Sequence, residues 1–212
     1  MDDIRDILSA NRVVPVVVLD RVQDTVPLCE ALLQGGIHAI EVTLRTEAAM
    51  AAIGEAAKRF PDMIVGAGTL LNANQITQVM DLGARFGVSP GSTPALLEAV
   101  STKGLPFLPG GSSVSEFMAL AEARFPVQKF FPAGAAGGPA FLKSLASPLA
   151  DISFCPTGGI NADNAEDYLA LPNVIAVGGS WFVSADRIRN GAWAEITNDA
   201  KDIVTRFGRA EA

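Results

Sequence analysis

Eight short apolar runs of strand character recur along the chain at nearly constant spacing. They begin near Val13, Ala39, Ile64, Phe86, Phe107, Gln128, Ser153 and Val174, which is 26, 25, 22, 21, 21, 25 and 21 residues apart. Between them, apolar residues recur three and four apart over 26–34, 47–60, 74–82, 94–102, 114–123, 139–145 and 164–171, the period of an amphipathic helix. Each repeat is therefore one strand and one helix. Glycines at Gly35-Gly36, Gly83 and Gly104 stand at several of the helix ends, where a left-handed cap turns the chain toward the next strand. Parallel strands joined through helices need right-handed crossovers, and eight units at so short a period can close on themselves. The expected fold is an α/β fold, a (β/α)8 or TIM barrel with a closed, parallel, eight-stranded sheet. A helix over 2–10 would precede it and one over 193–207 would finish it. A doubly wound open sheet is the alternative, and eight regular units disfavour it. No linker breaks the pattern, so 1–212 reads as a single domain.

With 49% hydrophobic and 18% charged residues the chain can bury a large core and has none of the composition of a disordered segment. Its net charge of -7 repels nucleic acid and anionic membranes, so neither is an expected partner and any phosphate must be held by a local site. The start, Met1-Asp2-Asp3-Ile4-Arg5-Asp6, lacks the basic flank and apolar stretch of a signal peptide. No apolar run approaches the roughly 18 residues of a membrane helix. A cytoplasmic protein is expected. Cys29 and Cys155 sit in apolar patterns and read as small buried hydrophobes. His38 is the sole histidine and precedes the second strand, away from the strand ends where this fold carries its chemistry. Neither a metal nor another cofactor is expected, although a carboxylate-only Mg2+ site stays open.

The second strand, Ala39-Ile40-Glu41-Val42-Thr43-Leu44-Arg45-Thr46, alternates Ile40, Val42 and Leu44 on one face with Glu41 and Thr43 on the other. The apolar face should meet the helices, which turns Glu41 inward. A carboxylate there costs free energy unless it is paired, making it a candidate acid or base, with a structural ion pair as the rival reading. In the sixth strand the same alternation groups Val127, Lys129 and Phe131. Lys129 is the only strand lysine, the others (Lys58, Lys103, Lys143, Lys201) falling in helices or at their ends. Burial among phenylalanines favours the free amine, a nucleophile toward ketones, and the resulting iminium withdraws electrons from the adjacent carbon. Pairing with Glu41 is the competing possibility, and the two are compatible. Arg45 follows the second strand, where a guanidinium suits a carboxylate. Thr69 ends the third strand with a hydroxyl beside glycine backbone. Gly158 and Gly159 after the seventh strand, with Gly179 and Ser180 at the end of the eighth, fit a phosphate site of backbone N–H groups.

Six motifs, Glu41-Val42-Thr43-Leu44-Arg45-Thr46, Val65-Gly66-Ala67-Gly68-Thr69, Ser89-Pro90-Gly91, Lys129-Phe130-Phe131-Pro132-Ala133, Cys155-Pro156-Thr157-Gly158-Gly159-Ile160 and Gly178-Gly179-Ser180-Trp181, resemble in order those of the 2-keto-3-deoxy-6-phosphogluconate (KDPG) aldolases. That family is also described as 4-hydroxy-2-oxoglutarate (KHG) aldolases, and the resemblance runs from about Val13 to Val183. It implies a class I aldolase acting on a 2-oxo acid and a sugar phosphate. Lys129 would be the Schiff-base lysine and Glu41 the general acid/base. Arg45 and Thr69 would hold the pyruvate carboxylate, Gly158, Gly159 and Ser180 the phosphate, and Phe131 and Thr157 would line the pocket. It also implies a homotrimer. Pro109-Gly110-Gly111-Ser112-Ser113 departs from the family's usual pattern, with Gly111 for an apolar residue and Ser113 for threonine, which predicts a roomier or more mobile loop. Arg45 favours the gluconate substrate over the 6-phosphogalactonate type. Two rivals remain: an aldolase acting mainly on 4-hydroxy-2-oxoglutarate, and a barrel that only binds a sugar phosphate.

Overall fold

A computed structural model describes residues 3–208. A helix, α1 (Ile4–Ala10), precedes strand β1 (Val13–Val17), and a 3-10 turn leads into α2 (Thr25–Gln34). Then come β2 (Ala39–Thr43), α3 (Ala49–Arg59), β3 (Ile64–Gly68), α4 (Ala73–Asp81), β4 (Phe86–Val88) and α5 (Pro94–Lys103). The fifth unit carries two short strands, β5 (Phe107–Leu108) and β6 (Gly110–Gly111), before α6 (Val114–Glu122). The chain ends with β7 (Val127–Phe130), α7 (Gly138–Leu145), β8 (Ser153–Pro156), α8 (Ala165–Leu169), β9 (Val177–Gly179), α9 (Ala185–Arg189) and α10 (Trp193–Phe207). Seven of the eight expected strand positions are met within a residue; the eighth, expected from Val174, starts at Val177. Asp2, expected in the first helix, lies outside the described residues.

The expected closed eight-stranded barrel is overturned. All pairings are parallel, but they form two sheets, six strands in the order β5-β4-β3-β2-β1-β9 and three in the order β6-β7-β8. One break lies inside the fifth run, at Pro109. Leu108 pairs with Val88 of β4, whereas Gly110 pairs with Lys129 of β7. A proline has no N–H for a ladder and marks strand interruptions, so the run changes neighbours there. At the other break β8 and β9 meet through isolated bridges, Phe154 with Val174 and Thr157 with Gly178. Thr157 Oγ1 lies 2.5 Å from where a Cβ on Gly178 would stand, so the side chain of one residue fills the space beside the backbone of the other.

Alternation along the strands sorts the core into two layers. Ile40, Val42, Phe130 and Phe154 belong to the large layer under the helices. Phe130 and Phe154 meet Phe117 of α6 edge to face, with centroids 6.1 and 4.9 Å apart, and this contact holds β7 and β8 from behind. Val14, Ala39, Phe86, Val88, Leu108, Val127 and Cys155 point the other way, into an interior shared by both sheets. Ile4, Ile7 and Leu8 of α1 join that cluster, and Arg5 donates to Ser153 Oγ at 3.0 Å. Because Ala39, Val127 and Ser153 begin their strands, α1 covers the N-terminal ends of the strands and leaves access from the C-terminal ends. Among the described residues no helix is long and apolar enough to cross a membrane.

Candidate active site

Glu41 and Lys129 come from different sheets and meet in the interior. Glu41 lies on β2 with the inward parity of Ala39, and Lys129 on β7 with that of Val127, as the alternation implied. The Lys129 Nζ to Glu41 Oε1 distance is 3.6 Å, with side chains only 3% and 4% exposed. Among the described residues Glu41 Oε1 has no hydrogen-bond partner. A buried ion pair adds little stability unless further hydrogen bonds compensate its lost hydration, so this one is poorly explained as a structural device. The Lys129 ammonium position is 5.2 Å from the Phe131 ring centroid, and that ring would lie 3.3 Å from a Cβ at Gly158. Lys129, Glu41, Phe131 and Gly158 thus form one continuous group.

Arg45 is exposed beside it. Its Nε–H donates to Thr69 Oγ1 at 3.2 Å, and the turn that carries it is tied down on both sides. Thr43 Oγ1 donates to the Val17 carbonyl at 2.8 Å, and the Thr46 hydroxyl to that of Leu19. Thr69 is held at φ 60°, a left-handed conformation that costs a non-glycine residue about 1–3 kcal/mol and tends to cluster at functional sites. Gly68 joins the two groups. A Cβ there would stand 2.1 Å from Glu41 Oε1, so the carboxylate occupies space that only glycine vacates.

The glycines expected at a phosphate site have separate structural reasons. Gly158 and Gly159 have φ of 95° and 77° in the turn after β8, and the Gly158 carbonyl accepts from Gly134 N–H at 2.9 Å. Gly179 is buried, and a Cβ on it would fall 1.8 Å from the Trp181 ring. Ser180 is exposed at the end of β9. Thr157 is buried at the bridge to Gly178. A Cβ at Gly111 would point to the Phe117 ring, 3.1 Å away on the helix side.

The matches to known proteins agree with this geometry. The model of the family described as KDPG and KHG aldolase matches residues 4–198. The chain belongs to that family. A 2-dehydro-3-deoxy-phosphogluconate aldolase of Pseudoalteromonas atlantica is 47% identical, covering 94% of this chain and 93% of the relative. A KHG/KDPG aldolase of Escherichia coli K12 is 46% identical over 93% of each. A crystal structure of KDPG aldolase from Legionella pneumophila, with pyruvate captured at low pH as a covalent carbinolamine intermediate, superposes with TM-score 0.93 at 44% identity, covering 95% of this chain and 98% of that one.

Two residues touch the site in ways that the sequence reading, which takes Cys155 as a small buried hydrophobe, does not bring out. Gly68 belongs to Gly66-Ala67-Gly68, and its period of two signals glycines facing inward beside a larger neighbour. Cys155 is the register partner of Lys129. Burial pushes its thiol up to about 12, against the opposing effects of Lys129 and a hydrogen bond with Thr157. Nothing in an apolar run marks such a cysteine, because its neighbour comes from another strand.

Proposed function

We propose that this chain is a class I aldolase that reversibly cleaves 2-dehydro-3-deoxy-6-phosphogluconate to pyruvate and D-glyceraldehyde 3-phosphate. The observation that carries the reading is the buried Lys129–Glu41 pair, 3.6 Å apart, in the interior of a KDPG/KHG-family chain. The free amine of Lys129 adds to the C2 ketone, and Glu41 supplies and removes the protons as water is lost and the iminium forms. Glu41 then takes the C4 hydroxyl proton. The C3–C4 bond breaks, its electron pair passes into the iminium to give an enamine, and the aldehyde leaves. Protonation of the enamine at C3 and hydrolysis of the iminium release pyruvate and restore the amine.

In this reading Arg45 and Thr69 bind the carboxylate of the 2-oxo acid, and their mutual hydrogen bond presents two donors side by side. Gly158, Gly159, Gly179 and Ser180 receive the phosphate, and Phe131 and Thr157 line the pocket. A single domain, a cytoplasmic location and a homotrimer go with the reading; sedimentation should give about three times the 22.1 kDa chain mass. Cleavage of 4-hydroxy-2-oxoglutarate to pyruvate and glyoxylate is a second activity of the same lysine, supported by the double name of the Escherichia coli relative. Steady-state rates on both substrates test the preference: a kcat/KM higher for the unphosphorylated acid would reverse it.

The vacated space at Gly68 gives a sharper check. Gly68→Ala sets a methyl where Glu41 Oε1 now lies and pushes the carboxylate away from Lys129. Misplacement by about 1 Å typically costs on the order of 100-fold, so kcat should fall by about that factor while the protein still melts cooperatively. Unchanged kcat in this variant would mean that the position of the carboxylate does not matter to the reaction.

A further inference from the structure

The Lys129–Glu41 pair spans two separately hydrogen-bonded sheets, so its 3.6 Å separation depends on how those sheets dock. On one side they meet at Gly110. It is the register partner of Lys129, whose N–H donates to the Pro109 carbonyl at 2.8 Å. In a parallel strand a residue turns its N–H and C=O to one neighbour while the residues flanking it turn theirs to the other, so the polar groups of Gly110 face the β4 side. There the main-chain ladder reaches Ser89 N–H, which donates to the Leu108 carbonyl at 3.2 Å. Beyond it two serine side chains take over. Ser89 Oγ accepts from Gly110 N–H at 3.4 Å, and Ser92 Oγ–H donates to the Gly110 carbonyl at 3.0 Å. The backbones also touch, since a Cβ on Gly110 would stand 2.4 Å from the Pro90 carbonyl oxygen.

We propose that Ser92, assisted by Ser89, is a positioning residue for the aldol reaction, which carries the interrupted ladder across the gap between the sheets and so sets Lys129 against Glu41. The inference rests on the Schiff-base reading of Lys129. Both hydroxyls act through Gly110 and the strand behind Lys129. Ser92 makes the shorter bond and carries more of the effect.

Pyruvate and borohydride supply the test, by the rate at which a reduced adduct accumulates on Lys129. In Ser92→Ala that rate and kcat should both fall about tenfold, as small displacements of reacting groups do, with KM within about twofold because the substrate-binding groups remain. Ser89→Ala should lose about threefold, and Ser92→Thr, which keeps the hydroxyl, should recover most of the wild-type rate. Melting temperatures should stay within a few degrees of wild type. Adduct formation at the wild-type rate in Ser92→Ala, or a loss that Ser92→Thr fails to restore, would overturn the proposal. A wild-type protein that gives no adduct would overturn the Schiff-base reading itself.

Discussion

Replacing Lys129 with methionine is expected to abolish turnover, by on the order of 10⁴-fold or more, and to remove all pyruvate adduct formation at this position. Methionine keeps the unbranched shape and suits the apolar surroundings of Val127 and Cys155, so the interior stays filled. The chemistry has no substitute, because the other lysines (Lys58, Lys103, Lys143 and Lys201) lie outside the strands. Losing the cation leaves Glu41 buried without its partner. Breaking a buried pair from one side typically costs about 3–5 kcal/mol, so Lys129→Met should melt below wild type. Lys129→Met/Glu41→Gln, which removes both charges, should regain part of that loss and stay inactive. Peptide mass spectrometry after borohydride reduction, with circular dichroism to confirm the fold, decides the matter. An adduct on another residue, or turnover near wild type in Lys129→Met, would end the case for Lys129 as the covalent centre.

The inward aim of Glu41 and Lys129 was legible because it is local: a strand alternates every second residue whatever its neighbours do. The repeat of strand and helix was legible for the same reason. Sheet closure was not, because it depends on register between strands that lie far apart in the chain. The warning was nevertheless present. Pro109 within the fifth run, followed by Gly110-Gly111, is the composition of an interrupted strand, and it was weighed as a departure in a loop. At Gly111 the side from which a side chain is missing faces Phe117, a partner on the following helix that the loop's composition does not name. The glycine pairs after β8 and at the end of β9 look alike in sequence yet differ in the structure. Gly158 and Gly159 need positive φ, whereas Gly179 yields space to Trp181. The eighth strand begins late, at Val177, because Val174 makes only an isolated bridge to Phe154. Ser92 carries no local mark, and the Ser89-Pro90-Gly91 motif does not say what Ser89 pairs with, since their partner Gly110 is defined only once two strands are placed side by side.

Glu41→Gln is expected to lower kcat by about 10²–10⁴-fold, the usual worth of a positioned acid or base, while leaving Lys129 in place. The amide matches the carboxylate in shape and fits the space vacated at Gly68, so the packing is unchanged; what is removed is the proton chemistry together with the charge that faces Lys129, and the variant should therefore also melt below wild type. Carbinolamine dehydration, C4 hydroxyl deprotonation and enamine protonation all need that chemistry. Adduct formation with pyruvate should therefore slow, and aldol cleavage, which needs more proton transfers, should slow further. Gly68→Ala separates place from identity: it keeps the carboxylate and moves it, so the two variants should fall together if both requirements hold. The adjacent thiol of Cys155 cannot take over as a base, because burial pushes it to about 12 and it stays protonated at neutral pH. Should Glu41→Gln keep the wild-type rate while Lys129→Met is dead, Glu41 would be reduced to the counter-ion of a buried lysine, and protons would have to reach the Schiff base from solvent or from the substrate's own phosphate.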